Sequence, residues 1–274
     1  MGDLAAEPGE DLDDGYRAST PPGDNLVIDF VRAEAEAYRV LVAAAGGRVV
    51  DDAATGLLLA DTGVASPFGN VAMLTRPAAD GGGPALADAL RSFFGARPGG
   101  PYLVFSAWPV PPLGPDGFHP VGHPPLMRRP PAAAAVPPPD GLRIAEVADD
   151  DALADFELTL IEAYPTPELL PYERGVLLAP ALVDSSWRFF VGYDADRPVA
   201  TAAAYVTDHI VTVEMVATRP EWRGRGAGAA LTAAAAGAAP ELPSALIASD
   251  LGRGVYADLG FEPMLRYTLW LGVR

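Results

Sequence analysis

The composition of this 274-residue chain excludes chemistry that depends on cysteine or lysine side chains, because neither residue occurs in it. Its 36 acidic and 19 basic residues give a formal net charge of −17, which excludes ordinary nucleic-acid binding and favours a cationic or amine-bearing substrate. With no cysteine and three histidines, the chain is predicted to hold no metal.

The chain begins with an acidic segment. Residues 1–22 predict a disordered acidic tail, because residues 1–14 carry six carboxylates and no basic or apolar run. The segment lacks the pattern of a signal peptide, and no later apolar run has the length of a membrane span. We therefore expect a cytoplasmic protein with no membrane partner.

Two domains and a linker are predicted from the distribution of proline. Residues 23–130 form the first predicted domain. Proline and alanine are dense over residues 123–141, which favours extended polyproline conformation, and we place the interdomain linker at 131–141. Residues 142–274 form the second predicted domain.

The second domain has the clearer pattern of elements. Strands are predicted over 142–147, 187–193, 199–206, 210–218, 245–249 and 266–271, and helices over 149–162, 167–178, 229–239 and 252–259. This order predicts the α/β (α+β) class, with one mixed, mostly antiparallel sheet flanked by helices.

An internal repeat connects the two predicted domains. The segment Val71-Ala-Met-Leu-Thr-Arg-Pro77 aligns with Val213-Glu-Met-Val-Ala-Thr-Arg-Pro220 with a one-residue gap, about 142 residues later. Each segment is followed by glycine and a helical pattern, so the sequence predicts two copies of one α/β unit in tandem. The first copy has Asp80 and no arginine in its glycine turn, and we expect it to be degenerate.

The most specific motif is a glycine-arginine turn between a predicted strand and a predicted helix. It consists of Arg223, Gly224, Arg225, Gly226, Ala227 and Gly228. Glycines let the backbone approach an anion, while the helix amides and dipole add positive charge to that of the arginines. The turn therefore predicts a phosphate-binding loop, and its spacing is neither that of a Walker loop nor that of a Rossmann turn. A glycine-rich turn with solvated arginines is the alternative.

The motif resembles the acyl-CoA pyrophosphate loop of the GNAT superfamily of N-acetyltransferases. The resemblance extends to Leu246-Ile-Ala-Ser249 and to residues 252–261, and covers 142–274 well and 23–130 faintly. It implies two GNAT-like units in tandem, with acetyl-CoA as co-substrate and an acyl group moved to a primary amine. Direct attack in a ternary complex follows from the missing cysteine. A non-catalytic acyl-CoA-binding, sensing or interaction protein is the alternative, and a nucleotide-binding module is a third reading.

The resemblance also implies roles for individual residues. The amides of Met215, Val216 and Ala217 would face pantetheine and the thioester carbonyl. Tyr256 would donate a proton to the CoA sulfur. Ser249 stands where many family members have asparagine, and it predicts either a cofactor contact or a helix cap.

The identities of the base and of the acceptor stay open in the sequence. Glu214 matches the position of a family base but also fits an outward-facing strand residue, and His209 or a water chain are the other candidates. The acceptor is a small-molecule or peptide amine, and the residues expected to face it are Glu162, Tyr164, Tyr172 and Glu173. The sequence leaves the oligomeric state open, and a homo-oligomer is one of the alternatives.

Overall fold

The computed structural model describes residues 16–79, 81–132, 136–164 and 166–274. Its helices are α1 (Leu26–Ala44), α2 (Gly83–Phe94), α3 (Asp150–Ala163), α4 (Ala227–Ala236) and α5 (Arg253–Asp258). The N-terminal strands are β1 (Arg48–Asp52), β2 (Leu57–Asp61), β3 (Asn70–Leu74), β4 (Tyr102–Ser106), β5 (His119–Gly122) and β6 (Pro125–Arg129). The C-terminal strands are β7 (Leu142–Glu146), β8 (Trp187–Asp194), β9 (Arg197–Val206), β10 (Val211–Thr218), β11 (Ser244–Ile247), β12 (Glu262–Arg266) and β13 (Thr268–Gly272).

The strands form two sheets of mixed, mostly antiparallel topology. The first has the order β1-β2-β3-β4-β13-β5, and the second has the order β12-β6-β11-β10-β9-β8-β7. Strands β3 and β4 are parallel in the first sheet, and β10 and β11 are parallel in the second. Each parallel pair is bridged by a crossover helix, α2 or α4. The repeat predicted from the sequence is therefore confirmed as a two-copy arrangement.

Each half of the chain contributes one strand to the sheet of the other half. We call residues 16–132 the N-terminal half and residues 136–274 the C-terminal half. Strand β6 lies between β11 and β12, and β13 lies between β4 and β5. The domain division at 23–130 and 142–274 stays a prediction, but neither sheet is built from one of these ranges alone.

The sequence predicts extended polyproline conformation from residue 123, and this prediction is wrong for residues 125–129, which form strand β6. Pro125 opens this strand, a position where the missing amide is tolerated. Leu126 and Met127 are buried, which gives the strand its place in the second sheet. Residues 133–135 of the predicted linker, and residues 1–15 of the predicted acidic tail, lie outside the described residues. Within the tail's described part, Tyr16 packs edge-to-face on Trp108.

Two predicted elements of the C-terminal half differ in the structure. The helix expected over 167–178 is a single 3-10 turn, Pro167–Leu169, followed by irregular chain. Here the buried Glu157 carboxylate accepts the amides of Gly175, Leu177 and Leu178 at 2.6–2.8 Å, replacing helical hydrogen bonds. The single strand expected over 266–271 is the end of β12 and most of β13, because the chain crosses from one sheet to the other at Tyr267.

The cores of the two halves are continuous. Ala37 and Leu41 of α1 belong to the same buried cluster as Phe156 of α3 and Trp187 of β8. This packing brings one face of α1 against the second sheet, close to β10. Within the part of the chain that the structure describes, no helix has the length and apolar character needed to cross a bilayer.

Candidate functional site

Strands β10 and β11 separate after a short parallel contact. Their pairing covers Val211 with Ser244 and Thr212 with Ala245, although β10 continues to Thr218. Beyond this point β10 carries a bulge, with a register shift between Glu214 and Ala217 and a positive φ of 51° at Met215. Thr201 of β9 donates a hydrogen bond to the carbonyl of Met215 at 2.9 Å and holds the bulge in place. The facing edges of the two strands are thus left open to another group.

The corresponding strands of the first sheet stay together. Parallel pairing of β3 with β4 runs from Val71 to Met73, opposite Leu103 to Phe105, without a register shift. Pro84 lies in the first turn of α2 and removes one of its free amides. Asp80 lies outside the described residues. The first copy therefore lacks the opening that the second copy has.

The glycine-arginine turn leads from β10 into α4. Gly224 and Gly226 have φ values of +72° and +88°, a left-handed conformation that other residues adopt only with strain. Gly226 is the N-cap of α4, and no side chain caps that end of the helix. Residues 223–226 are exposed, so the turn that leads into the positive end of α4 is accessible from solvent.

The two arginines of the turn have different surroundings. The Arg223 guanidinium donates hydrogen bonds to the carbonyl of Thr218 at 3.0 Å and to that of Ala163 at 2.9 Å. It fastens the turn to the ends of β10 and α3. The Arg225 guanidinium lies over the ring of Trp222, 5.1 Å from its centroid, and is exposed. Arg225 is therefore the better placed of the two to meet an anion.

A cavity of about 280 Å³ lies beside the bulge, between the two halves of the chain. The N-terminal half lines it with Glu34, Ala37, Tyr38, Leu41, Phe68, Gly69, Leu103, Phe105 and Pro124. The C-terminal half adds Leu160, Ile161, Tyr164, Thr166, Leu177, Leu178, Trp187, Glu214, Met215, Ile247, Ala248, Ser249 and Leu269. Most of these side chains are apolar, and the two glutamates are the charged residues among them.

Glu34 and Glu214 form a pair of carboxylates at the wall of this cavity. Burial raises the pKa of Glu34, although interactions with Glu214 and Thr212 oppose the shift. Burial also raises the pKa of Glu214 well above its ordinary value, and repulsion by Glu34 raises it further. Glu34 is 3% exposed, and its Oε1 has no hydrogen-bond partner among the described residues. The pair can hold a proton at a pH where ordinary glutamates are ionised.

Four tyrosines surround the carboxylate pair. Burial raises the pKa of Tyr38, Tyr164, Tyr256 and Tyr267, and the charge on Glu214 raises each of them further. Tyr256 is 7% exposed and packs edge-to-face on Phe261. Electrostatic interactions with Tyr164 and Glu214 also raise the pKa of its phenol. All four hydroxyls stay protonated at neutral pH and can donate hydrogen bonds.

The other residues proposed from the sequence have mixed positions. Ser249 lines the cavity, but its Oγ accepts the Gly252 amide at 3.1 Å, as a cap of the α5 turn would. His209 is exposed in the turn before β10 and is not among the residues that line the cavity. The structure therefore brings Glu214, and not His209, to the opening between the strands.

Of the four residues expected to face the acceptor, only Tyr164 is among those that line the cavity. Glu162 is paired with Arg219, and the Tyr172 hydroxyl donates to Glu157 at 2.8 Å. Glu173 is exposed in the loop after α3. These three therefore have structural or solvent-facing positions.

Sequence reasoning missed the contribution of α1. Glu34 and Tyr38 lie on the buried face of this helix, in line with Phe30, Val31 and Leu41. A glutamate within an apolar stripe of helical period was the available signal. No group of three or more histidine or acidic side chains suited to a metal ion occurs in the described ranges.

Comparison with known proteins identifies the fold. The protein-family model for the acetyltransferase (GNAT) domain matches residues 185–263. A GCN5-related N-acetyltransferase from Kribbella flavida is similar in structure, with a TM-score of 0.67 and 21% identity over 90% of this chain and 96% of the other.

Two further solved structures are similar. One is a putative acetyltransferase of the GNAT family from Novosphingobium aromaticivorans, with a TM-score of 0.52 and 23% identity over 82% of this chain and 91% of the other. The second is a tandem GNAT protein from the clavulanic acid biosynthesis pathway, with a TM-score of 0.50 and 17% identity over 79% and 78%. No curated protein matches the chain.

Proposed function

We propose that the protein is an acetyl-CoA-dependent N-acetyltransferase, a proposal supported by the match of the acetyltransferase (GNAT) domain model to residues 185–263. The acceptor in this proposal is a primary amine, and the acyl group moves by direct attack in a ternary complex. The observation that carries the proposal is the separation of β10 from β11 beyond Thr212, where Met215 and Ile247 line the cavity at Glu214, together with the uncapped start of α4 that follows β10 in the chain. The cytoplasmic location expected from the sequence would suit an acetyl-CoA substrate.

The residues of the opening fit an acyl-CoA. The amides at the start of α4, together with Arg225, suit the pyrophosphate. The open edge of β10 at Met215, Val216 and Ala217 suits the pantetheine chain and the thioester carbonyl, where an amide would stabilise developing negative charge. Arg223 acts by fixing the turn.

Glu214 is the base in this proposal, which accepts a proton from the ammonium group of the acceptor. An alkyl ammonium loses its proton near pH 10, so a base with a raised pKa is better matched to it than an ordinary carboxylate. The proton passes from the ammonium to Glu214, and the nitrogen then attacks the carbonyl carbon of the thioester. The carbon–sulfur bond breaks with its electron pair on sulfur.

Tyr256 supports the last proton transfer. Its phenol would give a proton to the departing thiolate and be restored by the proton that the new amide nitrogen releases. The sum is an ammonium and an acetyl thioester converted to an amide, a thiol and one proton. Replacing Tyr256 with Phe should lower kcat about 10²- to 10⁴-fold and leave acetyl-CoA affinity unchanged.

Calorimetric titration of acetyl-CoA tests the proposal. We expect binding to the full chain and a loss of at least about tenfold in Arg225→Ala, because a charged contact to phosphate disappears. Arg143→Ala is the matched control, since Arg143 is also exposed and lies over an aromatic ring, that of Tyr193.

Failure of the unmodified chain to bind acetyl-CoA would contradict the proposal. Binding without turnover of any amine would favour the non-catalytic acyl-CoA-binding protein, and competition by ATP or NAD would favour a nucleotide-binding module.

A further inference from the structure

The cavity between the two halves has a chemical character that narrows the acceptor. Its two charged lining residues are both acidic, and they come from different halves: Glu34 from α1 and Glu214 from β10. Their surroundings are apolar, with Leu41, Phe105 and Trp187 among the lining side chains. Two carboxylates in such surroundings favour a cation and disfavour any anion.

Unsatisfied polar atoms at and near Glu34 support a binding place for a polar group. The Glu34 Oε1 and the Tyr267 Oη are buried without hydrogen-bond partners among the described residues. Buried polar groups without partners are rare in folded proteins, and a cluster of them marks a place for water or a ligand. Glu157 provides the contrast, because its buried carboxylate is satisfied by three backbone amides and the Tyr172 hydroxyl.

We propose that this cavity binds a small primary monoamine with an uncharged, apolar body and no carboxylate, and that Glu34 is a binding residue for its ammonium group. The inference rests on the proposed function and deepens it. Amino acids are poor ligands because none of the lining residues is an arginine that could pair with a carboxylate. Polyamines are poor ligands because the acidic residues occur at one place and the rest of the wall is largely apolar.

The N-terminal half acquires a role in this proposal. It carries no opening of its own between β3 and β4, yet it supplies Glu34, Tyr38 and Phe105 to the cavity beside the opening of the other half. The tandem arrangement thus completes an acceptor pocket that the C-terminal half alone would leave open on one side.

Direct binding of chosen amines tests the proposal on the full-length protein. 2-Phenylethylamine, L-phenylalanine and putrescine are titrated calorimetrically at pH 8, and acetyl-CoA is titrated separately. We expect 2-phenylethylamine to bind and the other two amines to bind at least tenfold more weakly. Glu34→Gln should weaken 2-phenylethylamine binding about 10- to 100-fold, because a charged hydrogen bond is lost, with acetyl-CoA affinity unchanged.

Glu36→Gln is the matched control, since Glu36 is exposed two positions along the same helix, and it should bind 2-phenylethylamine as the unmodified chain does. Far-ultraviolet circular dichroism and the Tm establish that both variants are folded. Equal binding of L-phenylalanine, or undiminished 2-phenylethylamine binding in Glu34→Gln, would overturn the inference. So would acetyl-CoA binding without binding of 2-phenylethylamine. Failure of acetyl-CoA to bind would contradict the proposed function instead.

Discussion

Buried glutamates in this protein serve two different purposes. Glu157 is 1% exposed, and four donors satisfy its carboxylate, so it organises the loop after α3. Glu34 is as deeply buried but has an unpartnered oxygen and a second carboxylate beside it. A satisfied carboxylate adds to stability, whereas an unsatisfied pair lowers it and is retained where it binds or transfers protons.

The carboxylate pair should make stability depend on pH. In the folded chain the pKa of Glu34 is raised above its ordinary value of 4.5. At pH values between 4.5 and this raised pKa, the folded chain therefore holds a proton that the unfolded chain has released. Stability should therefore fall as pH rises through this window. Glu34→Gln removes one carboxylate of the pair, and we expect this variant to lose less stability between pH 5 and pH 8 than the unmodified chain loses.

Urea unfolding between pH 5 and pH 8 measures this effect. Tyr38, Tyr164, Tyr256 and Tyr267 face the pair but stay neutral throughout, since burial raises their pKa values. Glu36→Gln on the exposed face of α1 should follow the unmodified chain at every pH. Parallel curves for the unmodified chain and Glu34→Gln would show that the pair carries no extra proton.

Among the elements, the sequence predicted those whose signals are local. Alternating apolar residues and turn residues predict strands β8 to β10, and the alanine run predicts helix α4. The glycine-arginine motif predicts the turn that contains Gly224 and Gly226. The bulge at Met215 could not be predicted, because no glycine marks its positive φ and the surrounding sheet imposes it. The position of β6 depends on pairing with β11 and β12, far away in the sequence, which no local pattern encodes. Glu34 did have a local signal, its place in the apolar stripe of α1, but its contact with Glu214 depends on the packing of α1 against the second sheet.

The exchanged strand β13 is held in the first sheet by a buried ion pair. The Arg274 guanidinium contacts the Asp61 carboxylate at 2.5 and 3.0 Å and donates to the carbonyls of Gly100 and Phe94. Burial alone would raise the pKa of Asp61, but the hydrogen bonds and charge of Arg274 outweigh it and hold that pKa below its usual value. Asp61 is fully buried, so its charge depends on this partner.

Arg274→Ala should destabilise the protein by about 3 kcal/mol, because it leaves the Asp61 charge buried without its main partner. Adding Asp61→Asn to the same chain should recover part of the loss, since the uncompensated charge is then removed. Arg91→Ala is the control, because Arg91 forms an exposed pair with Asp88 and should have no measurable effect on urea unfolding. Equal effects of Arg274→Ala and Arg91→Ala would mean that the Asp61 pair does not hold β13.

At the scale of the whole molecule, the exchange of strands makes the two halves interdependent. Without β6, strand β11 would lose an antiparallel neighbour and expose an unpaired edge, and Leu126 and Met127 would leave the core. Without β13, strand β4 would be exposed in the same way. The cavity between the halves adds a shared wall. A single cooperative unit therefore accounts better for the fold than two independent domains.

Separate expression of the halves tests this interdependence. Residues 16–132 and 136–274 produced alone should lack a cooperative thermal transition, because each sheet then has an empty position between two strands. Co-expressed, the two pieces should purify together at equal stoichiometry and unfold in one transition, since each restores the strand that the other lacks. Differential scanning calorimetry and near-ultraviolet circular dichroism provide the measurement. A monomeric 136–274 piece with a native spectrum would mean that β13 folds back into the position of β6, and that the C-terminal half is self-sufficient.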